Sequence, residues 1–263
     1  MQADVQSRLE TAVELAKAAG QHTLKYFQQS DLSVERKGDN SPVTIADKEA
    51  EVLVRSGIAA VFPEDAVLGE ELEDTDGSSG YRWIVDPIDG TKSFICGVPL
   101  YSTLIGIEKD NEPLIGVIYV PGTRELVYAC RGDVTWYQQG DGEIVRASVS
   151  ERSELASACF VTSQVDSFSR RDAFDVYRQI QEACFITRTW GDGYGYLLIA
   201  TGRAEVMVDP VMNLWDAAAI LPVIEGAGGS FTDWNGTATI HGGEGVATTP
   251  QLLNEVIAIT QGN

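Results

Sequence analysis

Apolar residues recur at helical spacing at the start of the chain, where Val5, Leu9, Val13, Ala16 and Leu24 predict an amphipathic helix within residues 4–29. A second helix is predicted from about Ile45 to Phe62, ending at Pro63. Short alternating runs then take over around Val67 and across 81–86, 102–108, 114–120 and 125–130. Glycine and polar turns separate the later runs, so a meandering, largely antiparallel sheet is expected. Beyond Cys159 the rhythm changes to strand 159–162, helix 168–183, strand 185–189, helix 193–200, strand 204–208, helix 214–225 and strand 229–233. Pro222 is expected to kink the last of these helices. Such alternation indicates layered α/β units. The change of rhythm near 149–155 divides the chain into an N-terminal α+β subdomain, 1–150, and a C-terminal α/β subdomain, 151–263.

Composition narrows the chemistry. With 263 residues and 44% hydrophobic content the chain can bury a large core, and it has no run of eighteen apolar residues that would span a membrane. The first residues, MQADVQSRLE, are polar and carry no signal-peptide hydrophobic region. Four cysteines (Cys96, Cys130, Cys159, Cys184) lie scattered without a CxxC pair and read as reduced, mostly buried thiols of a cytoplasmic protein. A net charge of −20 argues against a nucleic-acid partner, since little would neutralise a phosphate backbone. Only two histidines, His22 and His241, are present, so Ser-His-Asp, Cys-His and histidine-based zinc sites have little to build on. Carboxylate chemistry is what remains.

The segment WIVDPIDGTKSF, residues 83–94, concentrates that chemistry. A strand is expected to stop at Pro87, placing Asp86, the Ile88 carbonyl and Asp89 at its end beside the N–H groups of Gly90 and Thr91. One reading is a helix N-terminus with Asp89 as N-cap. The other adds a divalent cation on the oxygens and a phosphate on the N–H groups, and the two are compatible. Glu70 and Glu71 follow the apolar run 66–68; alone they are a solvated turn, but a glutamate at a parallel strand end could bridge a metal and a nucleophilic water. The loop DTDGSSG lacks the closing glutamate of an EF-hand. Asp47, three residues after Thr44, fits a capping box as well as a functional role. Asp216 begins an otherwise apolar helix, where contact with the helix dipole is the structural explanation and metal binding the functional one. Asp192 in GDGYGY and Asp209 at the end of AEVMVD add carboxylates at positions where α/β proteins form ligand sites.

Four segments in order, SPVTIADKEAE, GEE, WIVDPIDGTKSF and LWDAAAILPVIEGAGG, resemble the inositol monophosphatase-like family of Mg²⁺-dependent, lithium-sensitive phosphatases. The resemblance implies a layered α/β/α/β/α sandwich, commonly dimeric, acting on a small phosphomonoester. It implies Glu70, Asp86, the Ile88 carbonyl, Asp89 and Asp216 as ligands for two or three Mg²⁺ ions. Thr91, with Asp47 behind it, would orient the attacking water, Glu70 would act as base, and the backbone of Gly90 and Thr91 would hold the phosphate. Within the family, DPIDGTKSF and GDGYGY are most similar to the histidinol-phosphate phosphatases, although Gly193 stands where those enzymes usually have cysteine. That likeness implies Asp192 and Asp209 as contacts for a substrate ammonium or imidazole. An inositol-1-monophosphatase or a broader sugar or nucleotide monophosphatase is the alternative, and a catalytically silent phospholigand-binding protein a distant one. A covalent aspartyl-phosphate mechanism is disfavoured because the spacing is DxxD.

Overall fold

A computed structural model describes residues 2–38 and 40–262. Helices α1 (Ala3–Thr23) and α2 (Ile45–Val61) bracket a hairpin of β1 (Val34–Arg36) and β2 (Pro42–Thr44). There follow β3 (Ala66–Gly69), β4 (Tyr81–Asp89), the short helix α3 (Thr91–Ile95), β5 (Ser102–Lys109), β6 (Glu112–Val120), β7 (Glu125–Cys130), β8 (Trp136–Gln139) and β9 (Val145–Arg146). Strands β3 to β9 form one sheet in sequence order; β3 and β4 run parallel and each later neighbour is antiparallel. Alternation then sets in with β10 (Cys159–Val161), α4 (Val165–Arg170), α5 (Phe174–Ala183), β11 (Ile186–Arg188), α6 (Asp192–Ala200) and β12 (Val206–Asp209). The chain continues through α7 (Leu214–Ala217), α8 (Ile220–Gly226), β13 (Ser230–Thr232), β14 (Gly245–Thr248) and α9 (Leu253–Thr260). The second sheet has the order β11-β10-β12-β14-β13.

The two-residue period of the strands builds the layers. Trp83, Val85, Ile105, Ile107, Ile115 and Val117 face α1 and α2, where Leu9, Ala12, Ala16, Val54 and Ile58 meet them. Their neighbours Ile84, Leu104, Ile118, Val120 and Val127 face the other way, onto Leu197, Ile199, Ile220, Val223 and Ile224 of α6 and α8. Those two helices also take Val161, Met207 and Ala247 from the inner face of the second sheet. Phe160, Val206, Val208 and Val246 on its outer face are covered by Phe168, Ile180 and Val256 from α4, α5 and α9. The result is the expected α/β/α/β/α sandwich. Burying one such Leu, Ile or Val side chain stabilises the fold by roughly 1.5–3 kcal/mol. The central helices are therefore apolar on both faces, and α6 is buried over most of its length.

Three expectations change in detail. Strand β4 runs through Pro87 to Asp89, with an irregularity in its pairing to β5 between Asp86 and Asp89. There Thr103 Oγ1 donates to the Pro87 carbonyl at 2.9 Å, a side-chain bond at the point where the main-chain ladder lapses. The single helix expected over 168–183 is two, α4 and α5, separated by Asp172 in a left-handed conformation (φ 58°). The helix over 214–225 likewise divides at Ala218–Ala219. Pro222 lacks the N–H that would reach the carbonyl four residues earlier, so the predicted kink becomes a break. The structure adds β1, β2, β8, β9, β14 and α9, whose short or mixed runs carry no clear period, while the helix start expected after Asp89 is present as α3.

One buried ion pair ties α1 to the large sheet. Arg8 donates from Nε and Nη2 to the two oxygens of Asp65, both at 2.8 Å, and stacks its guanidinium 3.7 Å from the Tyr81 ring centroid. Asp65 also accepts from Trp83 Nε1 at 2.8 Å and Ser79 Oγ at 2.6 Å. Burial alone would raise the Asp65 carboxyl, but these donors hold it below the ordinary carboxylate range. Asp65→Asn leaves Arg8 buried without its charge partner and is expected to cost about 3–5 kcal/mol in urea unfolding.

Candidate active site

The pairing of β3 with β4 decides where the acids go. Gly69 lies opposite Val85 in parallel register, and the Glu70 N–H donates to the Val85 carbonyl at 3.2 Å, so Glu70 stands beside Asp86 at the same strand end. Asp86 is buried and accepts from the Ile88 N–H at 3.1 Å. Asp89, also buried, accepts from Ser102 Oγ at 3.0 Å and from the Gly193 N–H at the start of α6. The third acid arrives from another layer: Asp216 on α7 is half-buried, and its Oδ2 accepts from the Asn213 N–H at 2.6 Å in a capping box. One carboxylate oxygen from each of Asp86, Asp89 and Asp216 lies within 4.8 Å of the others.

Such crowding is electrostatically adverse. Burial, then the charges of Glu70, Asp89 and Asp216, push the Asp86 carboxyl well above its ordinary range. Burial, then Asp192 and Asp216, do the same to Asp89. Asp216 is pushed up to about 7, chiefly by its low-dielectric surroundings, with Glu70, Asp192 and Asp209 adding to the shift against the Asn213 bond. An all-oxygen donor set of clustered carboxylates without histidine or cysteine fits a hard divalent cation. Such an ion would relieve each of these shifts.

Thr91 and Asp47 meet at the edge of this cluster. Thr91 Oγ1 lies 3.4 Å from Asp47 Oδ1 and 3.1 Å from the Ile88 carbonyl, with a single hydroxyl proton to share between them. The other Asp47 oxygen, Oδ2, accepts from the Thr44 N–H at 2.8 Å and Thr44 Oγ1 at 2.6 Å, completing the capping box of α2. The N-cap of α3 is Gly90, in place of the expected Asp89, because the chain turns there through a left-handed conformation (φ 86°). A Cβ at Gly90 would also come within 2.7 Å of Asp192 Oδ2. Lys37, at the end of β1, donates to Glu70 Oε1 and Glu71 Oε1 at 2.7 Å each. Burial opposes its charge, but the two carboxylates hold its ammonium above the ordinary lysine range, while burial raises Glu71 to about 7.

A second wall comes from the C-terminal half. Asp192 opens α6 in a left-handed conformation (φ 54°), and its N–H donates to Ser163 Oγ at 2.9 Å. Burial, then the charge of Asp209, raises the Asp192 carboxyl to about 6, while Lys92 opposes the shift. Asp209 is enclosed by donors: Thr162 Oγ1 at 3.2 Å, the Ser163 N–H and Oγ at 2.9 Å each, and Tyr196 OH at 3.0 Å. Lys92 reaches across to Gln164 Oε1 at 2.6 Å. A cleft of about 590 Å³ joins the two walls and is lined by Glu70, Asp86, Ile88, Asp89, Gly90, Thr91, Asp192, Asp209 and Asp216. Lys37, Ser102, Ser163 and Tyr196 are absent from the sequence-predicted set. Lys37, Ser102 and Ser163 are common residue types without a local motif, and Tyr196 closes the GDGYGY segment, where only the acid stood out; tertiary packing brings each to an acid.

The sequence profile of the inositol monophosphatase family matches residues 4–262. The chain is 40% identical to a histidinol-phosphatase of Chlorobaculum parvum, covering 97% of this chain and 96% of that protein. It is 36% identical to a histidinol-phosphatase of Mycobacterium tuberculosis, covering 94% and 95%. The solved structure of an inositol monophosphatase from Zymomonas mobilis superposes with a TM-score of 0.84 at 28% identity, covering 99% of this chain and 100% of that one. Sequence profile, relatives and fold converge on one assignment over nearly the whole length, and the chain belongs to the inositol monophosphatase family.

Proposed function

We propose that this protein is a Mg²⁺-dependent phosphatase that hydrolyses L-histidinol phosphate to L-histidinol and phosphate. The observation that carries the substrate is the Asp192 carboxylate in the same cleft as the Asp86, Asp89 and Asp216 cluster. Histidinol phosphate offers a phosphate for one end of that cleft and an ammonium and imidazole for the other. The relatives named histidinol-phosphatases, at 36–40% identity over more than nine-tenths of the chain, support the same reading. The proposal extends to a cytoplasmic homodimer, in keeping with free cysteines throughout.

Phosphate monoesters are among the slowest substrates to hydrolyse unaided, so a large barrier reduction is required. Glu70, Asp86, the Ile88 carbonyl, Asp89 and Asp216 would hold two or three Mg²⁺ ions, which supply charge to polarise the phosphoryl oxygens, acidify water and stabilise the leaving alkoxide. The chain's own residues do the positioning. With its proton directed at Asp47, Thr91 Oγ1 offers a lone pair to a hydrogen of the attacking water. Asp47, anchored through its other oxygen in the α2 cap, keeps that orientation, and Glu70 takes the water's proton. The N–H groups of Gly90 and Thr91 hold phosphate oxygens. Asp192 faces the ammonium; Asp209, whose oxygens are taken, acts through Ser163 and Tyr196 to hold that wall in place.

Assayed with Mg²⁺ against histidinol phosphate, inositol 1-phosphate, fructose 1,6-bisphosphate and 3′-phosphoadenosine 5′-phosphate, the protein is expected to show its highest kcat/KM on the first. A higher value on any other would overturn the substrate assignment. Asp89→Asn should leave less than about a tenth of wild-type kcat, a barrier increase above about 1.4 kcal/mol, while Thr91→Ala lowers kcat more than it raises KM. Asp192→Asn, with a side chain that also tolerates a left-handed backbone, should weaken histidinol phosphate more than inositol phosphate.

Metal removal generates a further expectation. Carboxyls raised in the folded state, Asp192 to about 6 and Asp216 to about 7, make the metal-free protein bind more protons folded than unfolded. Their contribution to stability is complete below the unfolded value of about 4 and is lost as pH rises through the folded values. The Tm of the metal-free protein should therefore fall between about pH 4.5 and about pH 8. Saturating Mg²⁺ should flatten that slope, as thermal scans with and without chelator would show.

A further inference from the structure

Glu51 is a fully buried carboxylate on α2 with no place in the mechanism above. Its Oε2 accepts from the Glu71 N–H at 2.8 Å, and its Oε1 from the Leu72 N–H at 3.2 Å. One turn along the helix, Arg55 donates from Nε to Glu51 Oε1 at 2.7 Å. The same guanidinium continues to the Leu72 carbonyl at 3.2 Å and Thr75 Oγ1 at 3.1 Å. A charged pair thus grips both the N–H and the C=O sides of the segment that follows Glu70. The carboxylate reaches this segment by passing over Gly69, where any Cβ would overlap Glu51 Oε1.

Glu70 is held from two directions as a consequence. Its own N–H is bound to the Val85 carbonyl, on the strand that carries Asp86, and the next two N–H groups are bound to Glu51. We propose that Glu51 is a positioning residue for catalysis, a buried carboxylate that fixes the backbone after Glu70 and so aims the Glu70 carboxylate at the metal cluster. Glu51 touches neither substrate nor the reacting atoms; it acts through the main chain, with Arg55 as its counter-ion and Gly69 as the gap it requires. The inference rests on the proposed metal-dependent function and adds to it a device that sets how well Glu70 is presented.

The decisive measurement is Mn²⁺ binding, followed by electron paramagnetic resonance without substrate, alongside kcat and KM with Mg²⁺. In Glu51→Gln the amide NH₂ must face a donor N–H, so at least one of the three bonds is lost, two if it replaces Oε1. Mn²⁺ affinity or kcat is expected to fall about tenfold or more, with the KM for substrate changed less than about twofold. Gly69→Ala displaces an unaltered Glu51 from the opposite side and should give the same pattern, which keeps the test open if Glu51→Gln fails to fold. Folded variants with wild-type Mn²⁺ affinity and kcat but a lowered Tm would reduce Glu51 to a structural group and overturn the proposal. Wild-type protein without Mn²⁺ binding or phosphatase activity would count against the proposed function itself, a result distinct from variants that match an active wild type.

Discussion

Several carboxylates share one small volume at the end of β4, and much of the fold around the cleft follows from the need to hold them there. Left to themselves these groups repel, and burial sharpens the repulsion by removing the water that would screen it. Among the described residues, no lysine or arginine forms an ion pair with Asp86, Asp89 or Asp216, while the nearby Lys37 is spent on Glu70 and Glu71. Raised carboxyls are the visible cost of that arrangement, and a divalent cation is the group whose charge would offset it. Two apolar interfaces hold the acids in place against their own repulsion: α1 and α2 on one face of the large sheet, α6 and α8 on the other.

Two of the acids serve twice. Asp47 caps α2 through Oδ2 and meets Thr91 through Oδ1, while Asp216 caps α7 through Oδ2 and still joins the cluster. A carboxylate has two oxygens and several lone pairs, so the structural and functional readings of one residue need not compete. Capping also has a mechanical consequence. A group anchored to its own helix start loses rotamer freedom before any ligand arrives, which lowers the cost of ordering it on binding. Asp209 represents the opposite case: four donors consume its oxygens, and its influence on the cleft passes through the groups it restrains.

Breaks in regular structure aim the site. The irregularity at Pro87 lets β4 present Asp86 and Asp89 near one another while β5 stays paired on either side. The break between α7 and α8 separates a four-residue helix that carries Asp216 from a buried helix that packs against both sheets. Left-handed residues at Gly90 and Asp192 pack directly against each other at the cleft, where a straight chain could not make either turn. Glycine takes its turn without strain, whereas Asp192 stores some, held by the core around it, as residues at ligand sites commonly do.

Much of this was legible in the chain itself. Helix α2, the central strands and the later alternation follow from hydrophobic period, and the DPIDGT, GEE and LWDAAA segments named Asp86, Asp89, Glu70 and Asp216 as candidates, because strand ends, caps and acid spacing are local properties. What local pattern could not decide was which acids would meet. That depends on the parallel register that sets Glu70 beside Asp86, on a helix break that turns Asp216 inward, and on the crossing of α6 over β5 that brings Gly193 to Asp89. Lys37, Ser163, Tyr196 and Glu51 stayed silent for the same reason: their partners lie up to 46 residues away, as with Ser163 and Asp209. The pairing of β10 with β12, and the packing of α2 and of the chain after β1 against the segment that follows β3, close such distances. Sequence therefore determined the inventory of acids and the class of chemistry, while tertiary structure decided their geometry, because charge crowding is a property of positions in space.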